Sequence, residues 1–205
     1  MPILKRFAFA CLQILTALIA AYAVWAYAFL PLGELVGTEM RANFQLHRIG
    51  IYTHVFAATI ALVLGPVQFF EGLRRRHPRL HRISGRIYLG VGVGLGGSAA
   101  LYMATFAYGG MIAKLGFALL ALAWLYTGWR AYRAIRTGAI GEHRRWVVRN
   151  FALTFAAVTL RLLLPASGLS GIPFATAYPI IAWLCWIPNL LFAEWAFARK
   201  IPVHE

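Results

Sequence analysis

The chain has 205 residues, 61% of them hydrophobic and 13% charged, with 20 Lys and Arg against 6 Asp and Glu. With a mean hydropathy of +0.68 it is too apolar to hide its side chains in one soluble core, so composition excludes an ordinary globular enzyme and predicts a single membrane domain. A net charge of +14 would suggest nucleic acid in a soluble protein, and the positions of the charges decide whether it does here.

Six apolar stretches occur, at about 7–30, 49–70, 86–108, 111–132, 148–168 and 174–197. Each is close to the roughly 20 residues that a helix needs to cross about 30 Å of hydrocarbon. The expected fold is therefore an all-α bundle of six transmembrane helices, one domain over residues 1–205. The first stretch follows Lys5 and Arg6 and contains Ala21-Tyr22-Ala23, which resembles a signal-peptidase site; because the run continues unbroken to Leu30, an uncleaved anchor is predicted.

Sixteen of the basic residues share one side of this arrangement: Lys5 and Arg6; Arg74, Arg75, Arg76, Arg79, Arg82 and Arg86; Arg130, Arg133, Arg136, Arg144, Arg145 and Arg149; Arg199 and Lys200. Arg41, Arg48 and Lys114 fall on the other side. The positive-inside bias thus predicts cytoplasmic termini, and the charge reports topology rather than nucleic acid. The same basic loops would attract anionic lipid headgroups.

Along the second stretch His47, Gly50, His54, Ala58, Ala61, Gly65 and Gln68 fall on one helical stripe, otherwise built of small residues. In the third, Gly92, Gly96, Ala100 and Ala104 form a small-residue series that permits close backbone approach; helix packing explains it, as would a smooth wall for a flat macrocycle or quinone ring. The fifth carries Asn150, Thr154, Ala157 and Arg161 on one stripe. His54, about five residues from the outer end of its helix, and Arg161, about 18 Å from the inner end of its own, share the outer half of the membrane. Ionisable groups at that depth are costly, so the His54/Arg161 layer, with His47 and Gln68 on the same stripe as His54, is the first candidate for a ligand site. A structural hydrogen bond, or an arginine snorkelling to the interface, is the competing reading. In the sixth stretch Pro179, Pro188 and Asn189 predict a kink whose freed carbonyls need polar partners, and Glu194 is placed to pair with Arg199 or Lys200. Cys11 and Cys185 lack metal or disulfide spacing and read as packed thiols.

At the cytoplasmic ends His77, His81 and His143 approach the starts of the third and fifth helices. His81 and His143 are there a candidate axial pair for haem b, with Arg82, Arg86, Arg144 and Arg149 available to propionates or lipid. The competing reading is histidines solvated among arginines.

Tyr52-Thr-His54, Gly65-Pro66-Val67-Gln68-Phe69, Pro78-Arg79-Leu80-His81-Arg82 with Gly85-Arg86-Ile87-Tyr88, His143-Arg144-Arg145-Trp146-Val147-Val148-Arg149 and Thr159-Leu160-Arg161 together resemble the bacterial multi-pass membrane proteins of domain of unknown function two-three-zero-six. Val147 stands where many relatives have Met. The resemblance implies a multi-pass fold in the bacterial inner membrane and singles out the same His and Arg positions, without supplying an activity. A looser similarity to diheme cytochromes of the b type rests on helix count and membrane histidines alone, and no paired His faces His54. The chain has no Asp, no Walker or dinucleotide glycine motif and no HExxH, which removes carboxylate-pair hydrolases and nucleotide-driven pumps. Three classes remain: a redox carrier for haem or quinone, a transporter or small-molecule binder using the His54/Arg161 layer, and an accessory subunit of a larger membrane complex.

Overall fold

The computed structural model describes residues 3–202, and for residues 3–6 and 8 the backbone alone. The side chains of Lys5 and Arg6 and the residue Glu205, on which the expected placement of the termini partly rests, lie outside that description. The chain is 84% helical, with no strand among the described residues. Six helical stretches are long and apolar enough to cross a membrane: Phe9–Ala28, Arg48–Val67, Pro78–Ala104, Gly110–Arg136, Ile140–Leu169 and Phe174–Lys200, here spans 1 to 6.

The helices are α1 (Ile3–Ala28), α2 (Thr38–Leu46), α3 (Arg48–Val67), α4 (Glu71–Arg76), α5 (Pro78–Ile87), α6 (Gly96–Ala104), α7 (Gly110–Arg136), α8 (Ile140–Thr154), α9 (Ala156–Leu169), α10 (Phe174–Leu184) and α11 (Ile187–Ala196). A π-helical segment, Tyr88–Leu95, joins α5 to α6 inside span 3, and a short 3-10 turn, Ala198–Lys200, ends span 6. Because the spans alternate in direction, the two arginine-rich connections, the start of span 1 and the end of span 6 share one end of the bundle, the basic end. The short helix α2 lies at the opposite end.

Two boundaries differ from the sequence expectation. Span 3 starts at Pro78 rather than near 86, and span 5 at Ile140 rather than near 148. Arginine is a good helix former, so backbone hydrogen bonding runs through the basic segments even where hydropathy has fallen. Pro78 suits the first turn, where its missing N–H would have had no helical partner.

Lipid chains are as apolar as leucine, so helices in a membrane associate through close packing and interhelical hydrogen bonds. Spans 2 and 3 show the first of these. The Cβ that Gly92 lacks would fall 2.7 Å from Ala61 Cβ and 3.0 Å from Ala61 Cα, and that of Gly96 only 3.1 Å from Ala57 Cβ. Ala61 is wholly buried. The small stripe on α3 and the glycines of span 3 are thus two halves of one interface, which answers for Gly92 and Gly96.

Spans 5 and 6 are each broken. Span 5 bends at Phe155, between α8 and α9, and span 6 at Cys185-Trp186, just ahead of Pro188. The expected kink is present, and Asn189 answers the carbonyl it frees: its Nδ2 donates to Cys185 O at 2.9 Å and to Thr159 Oγ1 at 2.9 Å. At the basic end Arg149 donates to both oxygens of Glu194, from Nε at 2.7 Å and Nη2 at 3.0 Å. Arg199 stands farther off at 3.5 Å. The local Glu194–Arg199 pair expected from sequence is therefore secondary to a bidentate clamp between spans 5 and 6, the geometry in which a planar guanidinium binds a carboxylate best.

Gly92→Ala should destabilise the purified protein by about 1–3 kcal/mol, because the added methyl meets backbone atoms that cannot step aside. Gly90→Ala, whose Cβ meets nothing within 4 Å, should be neutral or mildly stabilising. Equal effects of the two in a denaturant titration would contradict the packing described.

Candidate functional site

A cavity of about 250 Å³ lies between the spans at the end opposite the basic loops. All six spans contribute to its wall, and α2 adds Met40 and Phe44. Most of the lining is aliphatic or aromatic. The polar groups that reach it are few: His54 from α3, Arg161 from α9, Tyr27 from α1, Tyr178 from α10, Tyr108 from the turn ahead of α7, and Thr59, Thr154, Trp124 and the Cys185 thiol.

The position of His54 follows from the glycine contact between spans 2 and 3. With no side chain at Gly96, the imidazole comes close enough for Nδ1 to bond Gly96 O at 3.0 Å. A carbonyl can only accept, so Nδ1 carries the proton and the neutral ring presents Nε2 as a lone-pair acceptor.

Arg161 is half-buried. Nη1 donates to Ala157 O one turn back in its own helix, at 3.1 Å, and the guanidinium sits 5.9 Å from the Tyr22 ring centre. The glutamates with ion pairs among the described residues pair elsewhere: Glu34 with Arg41, Glu71 with Arg75, Glu194 with Arg149 and Arg199. Arg161 therefore has no carboxylate partner among the described residues, and most of its five donors are free. His54 and Arg161 stand within electrostatic reach of each other. They are not hydrogen-bonded to one another, so a direct tie from Arg161 to the α3 stripe is replaced by two side chains facing one space. The hydroxyls of Tyr27 and Tyr178 likewise form no hydrogen bond among the described residues.

Beneath the cavity floor lies a polar knot of the opposite character, with every group satisfied. Tyr88, at the start of the π-helical segment, donates its hydroxyl proton to Asn150 Oδ1 at 2.6 Å. Asn150, 0% exposed, donates from Nδ2 to Trp124 O and to Thr127 Oγ1, both at 2.8 Å. Trp124 Nε1 donates to Thr154 Oγ1 at 2.9 Å, and Thr154 Oγ1 lies 3.0 Å from the Tyr88 hydroxyl and 3.1 Å from Asn150 O. Spans 3, 4 and 5 are thereby tied at one point. Trp124 and Thr154 belong to both the knot and the cavity wall. Widened π turns recur at functional sites, and here the segment delivers Tyr88 to the bundle axis. Asn150 and Thr154 were legible as an inward stripe; Tyr88, Trp124 and Thr127 were missed, because a tyrosine near a helix end reads as interfacial anchor and a tryptophan as aromatic belt.

The other candidate residues are dispersed. His47 is outside the cavity, bonded through Nδ1 to the Tyr102 hydroxyl at 2.8 Å and stacked 3.6 Å from the Phe106 ring; it backs Phe106, which does line the wall. Gln68 lies at the basic end of α3, where Nε2 donates to Ser84 Oγ at 2.9 Å and joins spans 2 and 3. His81 and His143 lie within electrostatic reach of each other near the basic end. His143 Nδ1 bonds Ala131 O at 2.8 Å, whereas His81 Nδ1 is buried without a hydrogen-bond partner. Of the arginines offered to propionates, Arg149 is taken up by Glu194, Arg82 Nε bonds Pro78 O at 3.3 Å, Arg86 is exposed, and Arg144 is engaged.

A family model described as predicted membrane protein (DUF2306) matches residues 51–197, a stretch that carries His54, Tyr88, Asn150, Arg161 and Tyr178. No curated protein and no solved structure matches the chain.

The contrast between the knot and the cavity gives opposite signs on mutation. Asn150→Leu strands the partners of a fully buried amide and should cost about 1–3 kcal/mol. Arg161→Met removes a cation that has no counter-charge and should leave the stability of the ligand-free protein unchanged or raised. Thermal melts of the two variants in one detergent check this; a large loss for Arg161→Met would make Arg161 a structural residue instead.

Proposed function

This chain belongs to the DUF2306 family of multi-pass helical membrane proteins, and we propose that its largely apolar cavity, reached by a few polar groups, binds a small membrane-soluble ligand of the quinone and quinol class. The observation that carries this reading is Arg161, a cation without a carboxylate partner among the described residues, on the wall of a largely apolar space. An intramembrane charge costs at least about 2.5 kcal/mol unless compensated, and a ligand oxygen is the compensation the wall lacks.

Size and polarity narrow the class. The cavity of about 250 Å³ is mostly apolar with a few polar groups placed on its wall, which suits one substituted ring of a membrane-soluble compound. Donors and acceptors sit on separate residues. A quinone carbonyl accepts from Arg161 or from the tyrosine hydroxyls, and a quinol hydroxyl donates to His54 Nε2, so both redox forms find partners. Handling such a ligand, by binding, carriage or exchange with the lipid, requires no further group from this chain. One observation favours a second reading, haem b on His81 and His143: the Nδ1 bond of His143 to a carbonyl fixes the tautomer whose Nε2 lone pair could serve an iron, as outer-shell partners of ligating histidines do. The cavity reading is preferred because its polar groups already converge on one space.

Titrating a short-chain benzoquinone into protein in lipid nanodiscs should quench tryptophan fluorescence saturably, since Trp124 lines the site. Arg161→Met should weaken the apparent affinity by about tenfold or more, the worth of a hydrogen bond from a charged donor. Non-saturable quenching, or equal affinity in the variant, would overturn the proposal; a Soret band in the same sample, lost in His81→Ala or His143→Ala, would favour haem.

Orientation belongs to the same proposal: the basic end faces the cytoplasm of a bacterial inner membrane, and the cavity opens toward the far leaflet. A reporter inserted at residues 72–77 should read cytoplasmic, because arginine-rich loops resist translocation. A periplasmic signal there would invert the arrangement.

A further inference from the structure

A second polar recess lies at the basic end, on the outer wall of the bundle, and is independent of the cavity. It is a cleft of about 190 Å³ between the end of α7 and the start of α8, lined by Trp129, Arg130, Arg133, Ala134, Thr137 and Glu142. Its arginines are held in an unusual way. Near the basic end of α7 three aromatic residues each have an arginine four positions on, and each guanidinium lies over that ring: Arg130 at 5.8 Å from Tyr126, Arg133 at 5.2 Å from Trp129, Arg136 at 6.0 Å from Tyr132. Arg130 also lies 4.5 Å from the Trp146 ring of α8.

A guanidinium that contacts a ring through its face keeps its N–H groups directed outward in its own plane. Arg130 uses one of them, Nη1 to the Tyr126 hydroxyl at 2.8 Å; Arg133 makes no side-chain hydrogen bond and no ion pair among the described residues. Two oriented, largely unspent cations therefore face one cleft. Tyr126, Trp129 and Tyr132 are about half exposed, at 48%, 51% and 50%, as an aromatic belt at the lipid–water boundary should be. The depth of that belt is the depth of phospholipid phosphates.

Glu142 stands in the same cleft without an ion pair among the described residues. Its place in the first turn of α8 is favourable in its own right, yet a lone carboxylate beside a site for anions would weaken it. A ligand bearing both a phosphate and an ammonium removes that conflict, since the phosphate takes the arginines and the ammonium takes Glu142.

We propose that this cleft binds the headgroup of a phosphoethanolamine-type phospholipid, with its phosphate on Arg130 and Arg133 and its ammonium on Glu142. The site distinguishes such a lipid from an anionic lipid lacking the ammonium and from a choline lipid, whose methylated nitrogen has no N–H to donate. The cavity and its ligand play no part in this assignment.

The test is lipid retention by the full chain, measured by native mass spectrometry after exchange into detergent carrying equal amounts of phosphatidylethanolamine, phosphatidylglycerol and phosphatidylcholine. The expected result is preferential retention of phosphatidylethanolamine. Arg133→Gln should lower it by about fivefold, what a partly exposed charge contact contributes at its upper end. Glu142→Gln should remove the preference over phosphatidylglycerol while leaving total lipid binding intact. Both side chains lie at the surface, so the variants should fold, and Arg75→Gln, on a different loop, should change nothing. A wild-type preference for phosphatidylglycerol, or retention indifferent to both substitutions, would overturn the proposal.

Discussion

Inside a bilayer no water stands by to satisfy a polar group, so each must find its partner within the protein or bear the cost of having none. Asn150 shows the rule obeyed in full: wholly buried, it donates twice and accepts from Tyr88, and through these bonds spans 3, 4 and 5 are fastened at a single depth. Three other features depend on that fastening. The π-helical segment widens the helix where Tyr88 must reach the axis. Gly128 leaves room beside Asn150 Nδ2, which lies 3.4 Å from where a Cβ would be. The far side of the knot forms the floor of the cavity through Trp124 and Thr154.

Close packing supplies the second support. Where Gly92 and Gly96 meet Ala57 and Ala61, the backbones of spans 2 and 3 approach closely enough for a side chain of one to bond a carbonyl of the other, and His54 does so. The imidazole is oriented by the same small residues that bring the helices together. Arg161 has no comparable arrangement: it borrows a carbonyl from its own helix and lies over a tyrosine ring. Satisfaction on every side in the knot and its absence at Arg161, across the thickness of the cavity floor, separate what holds the fold from what is free to bind. A cation with no counter-charge among the described residues, set beside so fully satisfied a knot, is where stability has been given up for another purpose.

Much of this was legible in the residues. The spans were readable because hydrocarbon thickness fixes a length, and alternation of direction sorted the arginines to one end. His54 and Arg161 stood out as polar groups at membrane depth, and both reach the cavity wall. The helical extensions through residues 78–85 and 140–147 were hidden because hydropathy falls before helicity does. The π segment was illegible: Tyr-Leu-Gly-Val-Gly-Val-Gly-Leu is apolar or small throughout, so no pattern separates a widened turn from an ordinary one. Partners distant in sequence were the other blind spot. Glu194 reads locally as a mate for Arg199, whereas the bidentate bond comes from Arg149, 45 residues away, and Tyr88 meets Asn150 across 62.

The central claim is that Arg161 is left without a counter-charge because a ligand oxygen completes it. Its most direct test is an inventory, by mass spectrometry, of the small molecules that remain with the protein when it is extracted gently from its own membrane. The account predicts an apolar compound bearing carbonyl or hydroxyl oxygens, retained in stoichiometric amount by the wild type and lost from an equally well-folded Arg161→Met variant. The same compounds in the same amounts in both samples would contradict it.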